Sequence, residues 1–129
     1  MRHGRFRLAK QTGSSAHFAV VALTATPAPV DDFSVEASPA AIRGWREPVR
    51  LGVEEGLKIV SSLGQRPPMH IAITEFIGVP TDTSDQDAKI AALLATLSAF
   101  VDQDRMPTIY FSKEDDAWVL RWSNDSGFQ

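Results

Sequence analysis

Arg5-Phe6-Arg7-Leu8-Ala9-Lys10-Gln11-Thr12-Gly13-Ser14-Ser15-Ala16-His17-Phe18-Ala19-Val20-Val21-Ala22-Leu23-Thr24-Ala25-Thr26-Pro27 reads as strand, glycine turn, strand. Aromatic and β-branched residues flank a small polar cluster with one glycine, the pattern of a hairpin whose loop is roughly three to five residues long. The expected strands cover residues 4–11 and 16–26, the second too apolar to be a free edge. Between them the chain exposes lysine, glutamine, threonine, glycine and serine. A narrow polar tip of this kind enters grooves that a flat sheet cannot, which makes it the first candidate for function.

Working outward, Pro27, Pro29 and the pair Asp31-Asp32 end the second strand, and a short extended piece is expected from Phe33 to Glu36. Ser38-Pro39 has the form of an N-cap followed by proline at the first helical position. Ile42, Trp45, Val49, Val53, Leu57 and Val60 recur at helical steps. Pro48 interrupts them, so 39–46 is read as a separate turn and the helix as starting at Pro48. Gly52 and Gly56 each cost about 1 kcal/mol of helix propensity, which close approach of a neighbour would explain. Gly64 is the stop.

Pro67-Pro68 introduces a strand from Met69 to Ile77, with Met69, Ile71 and Ile73 on one face and His70, Ala72 and Thr74 on the other. After a polar loop from Gly78 to Ser84, Ser84 and Asp87 have capping-box spacing with a shortened acid, and Asp85 suits the positive end of a helix. That helix is expected to reach about Asp102, burying Ile90, Leu93, Leu94, Leu97, Phe100 and Val101. A last hairpin pairs Thr108–Ser112 with Ala117–Ser123 around the acidic turn Lys113-Glu114-Asp115-Asp116, and residues 124–129 form a frayed tail. The order ββ(β)αβα plus hairpin gives an α+β fold, a mostly antiparallel sheet with two helices on one face.

The 129 residues form one expected domain, with 43% hydrophobic and 22% charged residues, as in ordinary globular proteins. No apolar run approaches the roughly 20 residues of a membrane span, and Arg5, Arg7 and Lys10 interrupt any signal-peptide core. A cytoplasmic location is the plain reading. The absence of cysteine excludes disulfides and thiolate chemistry. The net charge of −3 argues against a surface that coats nucleic acid. Even so, Arg2, Arg5, Arg7 and Lys10 occur without an acid in the first ten residues, leaving room for a local RNA-facing patch.

Four segments together carry a family resemblance. Lys10-Gln11-Thr12-Gly13 before a valine-rich strand ending at Pro27 resembles the hairpin that opens domain IV of translation elongation factor G. Val49-Arg50-Leu51-Gly52-Val53-Glu54-Glu55-Gly56-Leu57 is similar to that domain's first helix, and Pro67–Thr74 to its central strand. Asp82-Thr83-Ser84 followed by Ala88–Ala99 is similar to its second tip loop and second helix. Tetracycline ribosomal protection proteins share this domain. The resemblance spans residues 4–103, leaving 104–123 as an extra hairpin. It implies a ribosomal protein S5 domain 2-like fold and contact with ribosome or RNA through two tip loops. Gly13-Ser14 departs from the family's glycine pair, and Val79 stands where family members often carry histidine.

Candidate contact residues are accordingly Lys10, Gln11, Thr12, Gly13, Ser14, Ser15, His17, Asp82 and Thr83, whose amides, hydroxyls and cation suit phosphate and sugar contacts. Phosphate contacts would make binding salt-sensitive. His3, His17 and His70 are scattered without metal-ligand spacing, and His17 and His70 are read first as strand-paired or structural. Capping accounts for Asp82, Asp85 and Asp87 better than magnesium does. No phosphate-binding Gly-x-x-x-x-Gly-Lys-Ser/Thr and no Gly-x-Ser-x-Gly occurs. The sequence therefore points to a non-catalytic module without cofactor, metal, bound nucleotide or membrane partner. A second reading keeps the fold but assigns protein interaction or self-assembly, with Trp118 and Trp122 as anchors; in that case the tryptophans must not simply cover the domain's own core.

Overall fold

A computed structural model describes residues 1–122, so the expected tail at 124–129 and Ser123 at the hairpin's end lie outside the described residues. The two opening strands, β1 (Arg2–Thr12) and β2 (Ser15–Pro27), pair antiparallel from Arg2↔Ala25 to Thr12↔Ser15. The loop is only two residues, Gly13-Ser14, shorter than the sequence pattern suggests. Gly13 takes φ 61° while Ser14 does not enter the left-handed region, the arrangement of a type II′ turn. Gln11 Nε2 donates to the Gly13 carbonyl at 3.1 Å and braces it.

β3 (Asp32–Val35) pairs parallel with β4 (Met69–Ile77), and β4 pairs antiparallel with β2, so the sheet order is β1-β2-β4-β3. The fold is α+β, with one parallel pair in an otherwise antiparallel sheet. His70 ties the parallel pair together, contacting Ser34 Oγ at 3.0 Å through Nε2 and the Asp32 carboxylate through Nδ1.

The first helix region divides as the proline requires. α1 (Pro39–Ile42) is one turn, and α2 (Arg46–Leu63) begins two residues before Pro48. Pro48 therefore lies in the first helical turn, where a missing N–H leaves no broken bond. α3 (Asp85–Ser98) carries the full capping box: Asp87 N–H donates to Ser84 Oγ at 3.1 Å, and Ser84 N–H to Asp87 Oδ2 at 3.1 Å. It ends four residues before Asp102. Phe100 and Val101 N–H both turn back onto the Leu97 carbonyl, so the apolar stripe outlasts the helix as an irregular turn. Phe100 and Val101 are only half-buried, and the two amides share one carbonyl, an i−3 bond beside an i−4 bond, so the helix frays out there.

Leu8, Ala19, Val21, Leu23, Met69, Ile71 and Ile73 face the helices and are almost fully buried with Val49, Val53, Leu94 and Leu97. Both internal glycines of α2 mark the helix crossing. A Cβ at Gly52 would stand 2.1 Å from the Lys89 carbonyl oxygen, and one at Gly56 2.8 Å from Thr96 Cβ. The last hairpin, β5 (Thr108–Ser112) and β6 (Ala117–Arg121), forms its own two-stranded sheet against α3, with Asp116 at φ 51° in the acidic turn. At the far end, Arg66 makes paired bonds of 2.8 and 2.9 Å to Asp31, whose Oδ1 also accepts Met69 N–H at 2.8 Å. The Arg66 bond, aided by that amide and against a smaller opposing effect of burial, holds the Asp31 carboxyl below its ordinary range.

Two outcomes test this packing. Gly52→Ala gains about 1 kcal/mol of helix propensity but drives a methyl into a backbone carbonyl. It should lower stability by about 2 kcal/mol or more in urea unfolding, while Gly64→Ala, with open space around it, should not. For Asp31 the folded carboxyl titrates below its unfolded counterpart. Its stabilisation is complete above the unfolded value near about 3.9 and is lost as pH falls through the folded one. Asp31→Asn should therefore lower the urea midpoint at neutral pH, and the gap should close in strong acid.

Candidate functional site

The outer end of the opening hairpin continues the helix-facing side of the sheet beyond the apolar core. On β1 that side runs Leu8, Lys10, Thr12, and on β2 it runs Ala19, His17, Ser15, in register. The polar layer has to be satisfied without the core, and α3 does this. His17 Nδ1 is 2.9 Å from Asp87 Oδ1, and His17 Nε2 is 2.8 Å from Thr12 Oγ1. Trp118 Nε1, from β6, donates to the same Asp87 oxygen at 3.0 Å. The His17 ring is 5.0 Å from Phe111 and 5.1 Å from Trp118, with those two 5.2 Å apart edge-on.

Asp87 is 1% exposed and accepts from Ser84 N–H, Trp118 and His17. Its position in the first turn of α3 places the charge at the positive end of the helix dipole. A carboxylate only accepts, so the proton of the His17–Asp87 bond sits on Nδ1. In the neutral ring Nε2 is then the acceptor and the Thr12 hydroxyl the donor.

The second tip loop lies against this hairpin. Phe18 N–H donates to the Asp82 carbonyl at 3.0 Å; Thr83 Oγ1 donates to the Phe18 carbonyl at 2.5 Å and accepts Val79 N–H at 2.8 Å. The two loops enclose an open groove of about 510 Å³ with Ser14, Ser15, His17, Pro80, Asp82 and Ser84 in its lining. Lys113, from the acidic turn, brings its Nζ to 4.0 Å from where a Gly13 Cβ would stand. Three turns thus meet at one end of the molecule.

The structure sorts the candidates named from sequence. Lys10, Gly13, Ser14 and Ser15 are exposed, Gln11 braces the turn while exposed, and Thr12 and Asp82 are half-buried at the rim. Two of the candidates are engaged within the fold. Thr83 is buried with its hydroxyl engaged on both sides, and His17 keeps only 11% of its side chain exposed with both nitrogens bonded internally. Both brace the tip from within, and both also line the groove between the two loops. Trp118 turns its indole inward to Asp87, and Trp122 is partly buried against the core.

The sequence pattern marks Asp87 only as a cap. Its second partner, His17, is distant in the chain, and no spacing signals that meeting. Thr12, His17 and Asp87 have the donor order of a nucleophile relay. Thr12, however, is not among the residues lining the groove, so the groove seats no substrate at that hydroxyl. Among the described residues no cluster of three histidine and carboxylate side chains is set to hold a metal, and no helix is long and apolar enough to cross a membrane.

No family model matches the chain, and no curated protein matches it. Among solved structures, a protein from Thermus thermophilus known by crystal structure aligns at TM-score 0.68 with 22% identity, over 92% of this chain. At that identity the likeness establishes the fold. The chain corresponds to 16% of the length of that protein.

Replacing Asp87 by alanine removes the cap and strands two buried donors, His17 Nδ1 and Trp118 Nε1. A loss of about 3 kcal/mol is expected, with a red-shifted tryptophan emission as the β5–β6 hairpin loosens. Unchanged emission would show that Trp118 is not held by this carboxylate.

Proposed function

We propose that this chain is a non-catalytic module that touches ribosomal or other RNA with its two-loop tip, in the manner that the resemblance to elongation factor G domain IV implies. The observation that carries the reading is the junction of the two loops. Asp82 and Thr83 bond to the backbone of Phe18, so the Gly13-Ser14 turn and the 78–84 loop form one surface. Had they stood at opposite ends, no shared contact surface would exist.

The surface is suited to hydrogen bonding more than to broad electrostatic attraction. Lys10 and Lys113 are the cations beside the tip, whereas Asp82, Glu114, Asp115 and Asp116 stand in the neighbouring loops and Asp85 opens α3. Serine hydroxyls, turn amides and two lysines suit phosphate and sugar without base readout. The inward orientation of Trp118 removes the main ground for an aromatic partner anchor, so the contact reading is preferred to self-assembly.

Co-sedimentation of the purified protein with ribosomes tests this. Binding is expected, and Lys10→Ala combined with Lys113→Ala should weaken it about tenfold or more. With only two cations involved, the slope of log affinity against log salt should be shallow, about −1 to −2. No sedimentation, or sedimentation indifferent to the tip variants, would overturn the reading.

A further inference from the structure

β1 is an outer strand of the sheet, and its two-residue turn settles which backbone groups face outward. The turn closes on the pair Thr12↔Ser15, so Thr12, Lys10, Leu8 and Phe6 aim their amides and carbonyls at β2. Gln11, Ala9, Arg7 and Arg5 aim theirs away from it. Arg5 displays this parity directly: its N–H donates to Ser98 Oγ of α3 at 3.0 Å, which covers that step of the edge. Among the described residues nothing bonds to the outward amides and carbonyls of Arg7, Ala9 and Gln11, and all three residues are exposed. Such a row of donors and acceptors is a template for a further strand. We propose that β1 between Arg7 and Gln11 is a docking edge for an extended acidic segment of a partner protein, which adds to the sheet outside β1.

Charge decides which segment fits. Residues 1–12 contain Arg2, Arg5, Arg7 and Lys10 and no acid. Arg5 is paired with Glu75 and Arg2 reaches the Ala99 carbonyl, whereas Arg7 and Lys10 are exposed cations beside the open stretch. Arg7 lies over Phe18 on the sheet face away from the helices, and Lys10 belongs to the helix-facing side, so cations border an added strand on both faces. A second β1 pairing antiparallel about Ala9 would gather the same cations with no acid to offset them, and like charges across a ladder repel. An acidic segment meets them with opposite charge. Main-chain bonds supply the binding, and the two cations select the partner. At about 3.4 Å per residue, the open stretch takes about five to seven residues of that partner. This edge runs along the strand, apart from the two loops, and the RNA reading does not bear on it.

Amide hydrogen exchange, followed in nitrogen-15 spectra, tests this with two acetylated peptides, Glu-Val-Glu-Val-Glu-Val-Glu and Lys-Val-Lys-Val-Lys-Val-Lys. In the protein alone the amides of Arg7, Ala9 and Gln11 should exchange readily, while those of Leu8 and Lys10 are protected. The acidic peptide should slow exchange at Arg7, Ala9 and Gln11 and bind about tenfold more tightly than the lysine peptide. Ala9→Pro removes an outward amide that β2 does not use, so binding should fall about tenfold while the β1–β2 ladder persists. Arg7→Glu, which leaves the backbone intact, should erase the preference for the acidic peptide. Protected Arg7, Ala9 and Gln11 amides in the protein alone would overturn the proposal, as would equal binding of both peptides or a dimer in sedimentation equilibrium that Ala9→Pro dissolves. Peptide binding without slowed exchange at these three amides would be charge attraction alone and would overturn it equally.

Discussion

One buried carboxylate organises the end of this molecule where its turns converge. Asp87 is almost without solvent, and an unpaired charge there would cost several kcal/mol. It is retained because the N-terminus of α3 offers a backbone amide and a favourable dipole, while His17 and Trp118 supply two further donors. These partners come from three separate parts of the chain. The opening hairpin, α3 and the closing hairpin are thereby held to one point, and the rigidity of the tip follows from satisfying a single group.

The same constraint explains why the β5–β6 hairpin belongs to the fold. A two-stranded hairpin is marginal alone. Here its inward side supplies Phe111 and Trp118 as walls around the imidazole and Leu120 against the core. Removing water from around the His17–Asp87 contact strengthens it, and the contact in turn orients the indole. The other structural requirement is the near approach of α2 to α3. Gly52 and Gly56 sit where backbone carbonyl and threonine side chain leave no room for a methyl group.

What was legible in the sequence was whatever repeats at a fixed spacing. The alternation in β2 and β4, the proline that divides α1 from α2, the glycines of α2 and the Ser84–Asp87 cap all lie within a few residues of their cause. The acidic turn of the closing hairpin was readable for the same reason. The end of α3 was not, because Phe100 and Val101 continue the apolar pattern, half-buried, while the hydrogen-bond pattern changes. Nor was the length of the first loop, since a II′ turn and a longer loop use the same glycine and serine. Of the candidate site, the exposed residues Lys10 to Ser15 were readable as a tip. The engagement of His17 and Thr83 was not, because their partners are set by long-range packing: 70 residues separate His17 from Asp87, and 65 separate Thr83 from Phe18.

The cations of the N-terminal strand illustrate why charge counted along the chain differs from charge at a site. Arg5 and Arg7 lie opposite Ala22 and Val20, so they project from the sheet face away from the helices, not from the tip. Arg5 pairs with Glu75 at 3.3 Å, Arg7 lies over Phe18 at 5.6 Å, and Arg2 reaches the Ala99 carbonyl at the other end of the strand. The basic character that first suggested an RNA-facing patch is thus distributed over the sheet and partly neutralised. What remains at the tip is a short, braced and nearly uncharged set of hydroxyls and amides, flanked by acids that repel phosphate at longer range. Such a surface gains little from distant attraction and must rely on fit at contact distance. That fit depends on how firmly the two loops are held, which is what the Asp87–His17–Thr12 line and the Thr83–Phe18 bonds provide.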